Sequence, residues 1–514
     1  MLDPSQQAAP SKRWQYIALA VMFGAALALR SVDLGNPRFQ FHPTRQYHSA
    51  ILARAFYARM TDTMSPARKE VAEIAGARAG RFEPPLVEGL VACGYLIVGS
   101  EQPAVPRLLS SCFWLIGAWF LFRAARRLIS ERAAWVALFG FLFLPYGVIA
   151  SRSFQPDPLM VCLLCASLDA MLVHDELRTR KHLLYASAAS ALAVLVKPVC
   201  VFEIFALFLA LFVRRTAPRD WLRAPDLYVF TGLVLAPTVA FYVPSMLGGG
   251  ALDTQAKSSF QPGLWHQRMF HSGWRQMLER VFGLPALWAA ALGIAVSRGR
   301  ARVALVALGV GYVAYAFAFA YHVMGHDYYQ LPAIPVVALA WAAGAERALE
   351  LAARFDRRWQ LAVLGVCAIA TVALTAQRIV RYSLPALRPR ADERIAMYRK
   401  IGKLVGHSSH VIFLSPDGYG GPIQFYGELS GWYWPTVRDS IIAHERGAPK
   451  LNPLKRLDEL IPDAEYFVST SPRELHRQDA VRERLDGSFR LRANNDRYQI
   501  FDLRQPRSTS HKRP

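Results

Sequence analysis

Carboxylates, imidazoles and cations stand at or beside the ends of long apolar runs in this chain: His42, Arg45, His48, Glu83, Arg152, Asp157, Lys197, His266, His271, His322, His326 and Asp327. Carboxylates and imidazoles accept protons, guanidinium and ammonium groups offset phosphate charge, and imidazoles joined by a carboxylate ligate divalent metals. The neighbouring Gln46, Gln155, Tyr328 and Tyr329 add hydrogen-bonding and aromatic surface. An ionisable group at a membrane end costs at least about 2.5 kcal/mol if it faces lipid, so each is expected to face a shared cavity. For Arg and Lys the alternative is snorkelling to the interface, which Glu83 and Asp157 are too short to do far.

The apolar runs must position these groups. With 53% hydrophobic and 19% charged residues over 514 positions and a mean hydropathy of +0.17, the composition is that of an integral membrane protein. A span needs roughly 20 apolar residues. Runs near 14–30, 104–122, 134–150, 158–173, 182–196, 199–213, 226–247, 281–296, 303–321, 330–345 and 359–376 predict an α-helical polytopic protein with about 11 crossings.

Charge orients them. Arg and Lys gather in every second connection: Lys12/Arg13, Arg123/Arg126/Arg127/Arg132, Arg178/Arg180/Lys181, Arg214/Arg215/Arg219/Arg223, Arg298/Arg300/Arg302 and Arg354/Arg357/Arg358. These sets all face the cytoplasm if the N-terminus does. The run from Pro85 to Val98 is short for a crossing and would invert everything after it, so it is expected to lie juxtamembrane or half-inserted. The first external loop, 31–103, then holds amphipathic stretches Tyr47–Met60 and Pro66–Ala75 suited to the bilayer surface. The N-terminal run reads as a retained signal-anchor. The net charge of +22 follows largely from this inside-positive bias and from contact with membrane lipids, and no nucleic-acid partner is expected.

The expected domains are 1–381, in the membrane, and 382–514, a soluble extracytoplasmic α/β domain. In the latter a helix near Asp392–Val405, strands near Val411–Ser415 and Glu465–Ser469, a helix at Pro453–Leu460, and strands near Phe489–Arg492 and Tyr498–Leu503 are predicted. The turn Asp417-Gly418-Tyr419-Gly420-Gly421 follows a strand but lacks the spacing of a dinucleotide loop. Its aromatics Tyr419, Tyr426, Trp432, Tyr433 and Trp434 suit either sugar recognition or the domain's own core. None of the 6 cysteines lies in this domain, so no disulfide framework is expected. Cys162 and Cys165, at a CxxC spacing inside a span, read as buried small hydrophobes.

The order of a long first external loop, Phe82-Glu83-Pro84-Pro85-Leu86, Ser151-Arg152-Ser153-Phe154-Gln155-Pro156-Asp157 and His326-Asp327-Tyr328-Tyr329-Gln330-Leu331-Pro332 resembles the GT-C glycosyltransferases of the protein O-mannosyltransferase and aminoarabinose transferase group. The resemblance covers about residues 14–376. It implies inverting transfer of a sugar from a polyprenyl-phosphate carrier to a cell-envelope acceptor at the outer face of the bacterial cytoplasmic (inner) membrane. It also implies that Glu83 contributes to a divalent metal site, that Tyr328 and Tyr329 line the carrier cavity, and that Lys197 and Arg152 bind the carrier phosphate. The family's Asp-Glu pair in the first loop is absent; Phe41-His42-Pro43-Thr44-Arg45-Gln46-Tyr47-His48 stands there.

An inverting displacement needs a proton acceptor and cations for the departing phosphate. His42, whose ordinary pKa is near 6.5, and Asp157 are the candidates for the first role, with His42 in front. Arg45 is the loop cation, since guanidinium binds phosphate bidentately. Gln46, His48, Arg152, Gln155, Lys197, His326, Asp327, Tyr328 and Tyr329 are the expected substrate-binding residues. Glu83, His266 and His271, with the His322/His326 pair as a further source of imidazole, are the expected ligands of a Zn, Mn or Mg ion. No Asp-x-Asp motif points to a nucleotide-sugar donor. Two alternatives stand beside transfer: a flippase for a lipid-linked saccharide, and an inactive relative that scaffolds an envelope assembly.

Overall fold

The computed structural model describes residues 12–248, 259–352, 389–445 and 449–506, with isolated positions between 253 and 377. Contacts divide the chain into two units. The first comprises Met1–Pro37, Phe82–Leu86 and Pro103–Pro385, the second Arg38–Arg81, Val87–Gln102 and Ala386–Pro514.

The helices begin α1 (Lys12–Ser31), α2 (Pro43–Met60), α3 (Pro66–Arg78), α4 (Leu86–Val98), α5 (Ala104–Leu128), α6 (Glu131–Phe143), α7 (Pro145–Ala150), α8 (Asp157–Leu177), α9 (Arg180–Val196), α10 (Val201–Val213) and α11 (Pro225–Leu247). In the first unit further helices follow at Arg268–Val281, Leu284–Val296, Gly299–Ala318, Ala320–Gly325 and Ala333–Ala352. Every apolar run expected before residue 352 coincides with a helix; the run at 359–376 lies largely outside the described residues.

Not every one of these helices is by itself long and apolar enough to cross. Among the described residues, 5 helices are long and apolar enough to span, namely Arg13–Ser31, α5, α8, α11 and Gly299–Ala318, and the pair Arg268–Val281 and Leu284–Val296, bent by 94° at its break, raises this to 6 at most. Proline accounts for one interruption. Leu144 leaves helical geometry (φ −54°, ψ 121°) before Pro145, because the residue before proline is pushed toward extended backbone. The expected run 134–150 is thereby cut into α6 and α7.

The helices of the first unit pack closely through small residues. A Cβ at Gly117 of α5 would come 2.9 Å from Cys162 Cα in α8, and one at Gly311 would come 2.7 Å from Glu203 Cα in α10. Arg30, wholly buried at the end of α1, donates to Ser151 Oγ at 2.8 Å, Ala26 O at 3.1 Å and Leu142 O at 3.0 Å.

The second unit joins the first-loop helices to the C-terminal α/β domain, so the division runs differently from the expected boundary at 381/382. Of the stretches expected to lie on the bilayer, α2 turns much of its surface to protein, burying Tyr47, Ile51, Leu52, Ala55 and Tyr57 among others, whereas α3 buries Ala72 and Ala75. Ser49 donates to Glu88 of α4 at 2.7 Å. Arg54 pairs with Glu101 at 2.9 Å, donates to Phe425 O at 2.5 Å and sits 3.8 Å over the Phe425 ring.

The sheet has 5 strands in the order β2-β1-β3-β5-β4: β1 (Val411–Leu414), β2 (Gly431–Tyr433), β3 (Tyr466–Ser469), β4 (Phe489–Asn494) and β5 (Gln499–Pro506). β1 pairs in parallel with β2 and β3, and β5 runs antiparallel to β3 and β4. β2 is the strand the sequence reading missed. Of the aromatics offered for sugar recognition, Trp434 at 0% and Tyr426 at 9% exposure are buried, while Tyr419 is 54% exposed.

Candidate functional site

The centre of the first unit's polar site comes from one helical hairpin. Pro156-Asp157-Pro158 starts α8, so the Asp157 carboxylate stands at a helix N-terminus, where negative charge is favoured. Pro198 stops α9 at Val196 and leaves Lys197 in extended geometry at its C-terminus, where positive charge is favoured. α8 and α9 are joined by the turn at Arg178–Thr179, so the chain returns to the level from which it started. Lys197 Nζ then meets Asp157 Oδ1 at 2.6 Å, with side-chain exposures of 5% and 1%.

Aromatic faces close over this pair. The short turn Asp327–Gln330 holds Tyr328 and Tyr329 so that Lys197 Nζ lies 5.1 Å from each ring centroid. Tyr146, in α7, donates to Asp327 Oδ1 at 2.8 Å, and Arg280 reaches Asp327 Oδ2 at 3.4 Å. His322 stacks on Tyr329 at 4.9 Å and lies 2.9 Å from Ser259 Oγ. His326 packs on both tyrosines at 5.7 and 5.9 Å.

Some buried polar atoms here are unsatisfied. Among the described residues, Gln155 Nε2, Gln155 Oε1 and Asp157 Oδ2 have no hydrogen-bond partner, although Gln155 is 0% and Asp157 1% exposed. Orphaned buried amides and carboxylates each cost about 1–3 kcal/mol or more and are rare in folded proteins. Glu203, wholly buried in α10, is likewise without a partner for either carboxylate oxygen among the described residues.

Other expected residues stand elsewhere. Arg152 donates to Val32 O at the end of α1. His271 bonds Trp265 O at 2.8 Å, and both it and His266 are exposed. No group of three His, Cys, Asp or Glu side chains able to hold a metal ion occurs among the described residues. Glu83, His266 and His271 therefore do not form such a group among the described residues.

His42, Arg45, Gln46 and His48 belong to the second unit. His42 caps α2 in left-handed geometry (φ 49°, ψ 64°), accepts the Arg45 and Gln46 backbone N–H groups at 3.0 and 3.3 Å, and packs against Phe41 at 4.6 Å. Gln46 donates to Phe41 O, and the His48 ring bonds Ala79 O at 3.0 Å and Gly80 O at 3.1 Å.

Tyr146, Arg280 and Glu203 were absent from the expected site. The proline break before Tyr146 was a usable signal, because interrupted helices expose backbone and side chains toward cavities. So was Glu203, an acid within an apolar run.

Residues 83–243 match the family model described as dolichyl-phosphate-mannose-protein mannosyltransferase, a stretch holding Glu83, Gln155, Asp157 and Lys197. No curated protein sequence matches the chain. Among solved structures, ArnT from Cupriavidus metallidurans bound to undecaprenyl phosphate aligns with a TM-score of 0.57 at 16% identity, over 96% of this chain and 98% of that one. The Archaeoglobus fulgidus oligosaccharyltransferase AglB, in complex with an inhibitory peptide and a dolichol-phosphate, aligns with a TM-score of 0.57 at 13% identity, over 98% and 75%. The mycobacterial arabinofuranosyltransferase AftD gives 0.55 at 16% identity over 96% of this chain and 40% of that one. The chain shares the fold of these GT-C glycosyltransferases, as its motif order implied.

Proposed function

We propose that this protein is an inverting glycosyltransferase that moves a sugar from a polyprenyl-phosphate carrier to a cell-envelope acceptor at the outer face of the bacterial cytoplasmic membrane. The family match and the lipid phosphates named with ArnT and AglB support the donor class. The Arg and Lys clusters support a cytoplasmic N-terminus and an extracytoplasmic C-terminal domain.

The observation that carries the reading is the buried Asp157–Lys197 pair, with Asp157 Oδ2 and the Gln155 amide left unsatisfied beside it. In the proposed step the acceptor oxygen attacks the anomeric carbon while its proton passes to Asp157 Oδ2. The bond from that carbon to the phosphate oxygen breaks, and its electron pair leaves with the polyprenyl phosphate. The Lys197 ammonium, backed by the faces of Tyr328 and Tyr329, offsets the charge that develops. The Gln155 amide donates to and accepts from sugar hydroxyls. This role for Asp157 differs from the sequence expectation, which put His42 first. His42 and Arg45 remain candidates on sequence grounds.

The test is transfer of radiolabelled sugar from synthetic polyprenyl-phosphate donors to membrane acceptors, comparing wild type with Asp157→Asn, His42→Ala and Glu83→Gln. Loss in Asp157→Asn with retention in His42→Ala is expected. The reverse pattern moves the base to His42. No transfer by wild type, with donor binding intact, overturns the enzyme in favour of the flippase or scaffold.

A further inference from the structure

The C-terminal sheet opens a crevice that the reaction above does not use. β1 and β3 lie side by side in parallel, so their C-terminal ends emerge at one edge of the sheet. From β1 the chain proceeds to β2 on one flank, while from β3 it proceeds to β4 and β5 on the other. The two connections part between these ends, and open α/β sheets bind ligands outside the carboxyl ends of strands at such a switch point. A cleft of about 670 Å³ lies there, within the range of about 300–1,000 Å³ for small-molecule sites. Pro416 and Asp417 after β1, and Thr470 to Arg473 after β3, form its floor. The helix Pro389–Leu404 and the β4–β5 turn form its walls.

The chemistry of the lining is specific. Arg394, Arg473 and Arg497 face Glu393, Asp417 and Asp496, three charges of each sign, so the cleft is neutral as a whole. Two of the arginines are already paired: Arg394 with Asp417 at 3.0 Å and Arg497 with Glu393 at 2.9 Å. Tyr398 donates to Asp417 Oδ2 at 3.2 Å. Its hydroxyl is held protonated by burial and by that carboxylate. Arg473, Asp496 and the Ser471 hydroxyl make no side-chain hydrogen bond or ion pair among the described residues, and all line the cleft. A nucleotide or free phosphate would call for an excess of positive charge. Balanced planar charges interleaved with hydroxyls instead offer donors and acceptors alternately, as the hydroxyls of a sugar ring require.

We propose that this crevice is a binding site for a neutral, hydroxyl-rich oligosaccharide, read by Arg473, Asp496 and the edges of the Arg394–Asp417 and Arg497–Glu393 pairs. That the bound saccharide is the acceptor's glycan rests on the transferase reading; the binding itself does not.

The test uses full-length protein in phosphatidylcholine nanodiscs, free of sugar-based detergent, with saturation-transfer-difference NMR. Maltotriose and chitotriose serve as probes, glucose 1-phosphate as the charged counterpart, and Arg473→Ala and Asp496→Ala as variants. Both positions are exposed, so neither substitution threatens folding, and unchanged melting of the variants checks this. A neutral probe is expected to receive saturation, weakened roughly tenfold in affinity by either variant, the cost of one lost charged hydrogen bond. Absence of signal from both trisaccharides, signal indifferent to both variants, or preferential binding of the phosphorylated sugar overturns the site. In the transfer assay, a KM for acceptor raised in Arg473→Ala with kcat unchanged supports the acceptor role. An unchanged KM rejects that role while leaving the binding result to stand on its own. If wild type transfers nothing, the transferase reading fails and the NMR result still decides the crevice.

Discussion

The ammonium of Lys197 lies 2.6 Å from Asp157 Oδ1, and the two side chains are 5% and 1% exposed. Removing one partner from such a pair leaves an uncompensated buried charge, which costs about 3–5 kcal/mol, whereas removing both can be nearly neutral. Lys197→Met is therefore expected to lower the melting temperature sharply and abolish transfer. The double variant Lys197→Met/Asp157→Asn is expected to recover most of the stability and none of the transfer. Recovery of both would assign the pair a purely structural role.

Gln155 separates function from stability in the opposite direction. Its amide is buried with neither polar atom partnered among the described residues, so Gln155→Leu removes an unsatisfied group worth about 1–3 kcal/mol. Thermal unfolding in nanodiscs is expected to show equal or greater stability, while transfer falls at least about tenfold through the lost sugar contact. A stability loss matched by intact transfer refutes the assignment.

Arg54 anchors α2 within the second unit through Glu101, the Phe425 carbonyl and the Phe425 ring. Arg54→Ala leaves the nearly buried Glu101, among the described residues, with Arg68 at 3.2 Å as its remaining cation. A loss of about 3 kcal/mol is expected. Hydrogen exchange should read it as faster exchange in α2 and at Gly421–Gly427 together. Faster exchange in α2 alone would show that the two segments open independently.

Acid should loosen the same unit. Asp502 accepts from Arg504 at 3.0 Å, and those bonds hold its carboxyl below the usual carboxylate range. A depressed folded pKa gives stability that is full above the unfolded value, near 3.9, and is lost as pH falls through the lower folded value. The melting temperature of the second unit is expected to fall as pH drops below about 4, with a shallower fall in Asp502→Asn. Identical slopes would remove Asp502 from the account.

How far the sequence could be read depends on the range of the interaction. Helix positions in the first unit followed from local apolarity, and the ends of α8 and α9 were marked by Pro158 and Pro198. Residue types at those ends pointed to Asp157 and Lys197 separately, but their pairing spans 40 positions and follows only from the hairpin. The break at Leu144-Pro145 overrode an apolar run that looked continuous, as a proline does. β2 escaped because a strand of 3 residues shows no alternation. The helical spacing expected of α2 and α3 did not foretell that α2 would be buried on consecutive residues from Ser49 to Ala55. In α2 much of the surface is covered by protein.

That the second unit draws on segments from both halves of the chain has a consequence for its biosynthesis. A ribosome delivers α2, α3 and α4 first, and the sheet they belong with is not complete until β5 emerges. Throughout the intervening synthesis Tyr47, buried in the finished protein against Phe425 and Tyr426, lacks its final surroundings. Contacts so distant in sequence form slowly, and uncovered apolar surface invites aggregation in the interval. Maturation of this protein should thus be limited by the arrival of its last strand, and holding chaperones on the side of the membrane where the first loop emerges should matter more to its yield than the speed of membrane insertion.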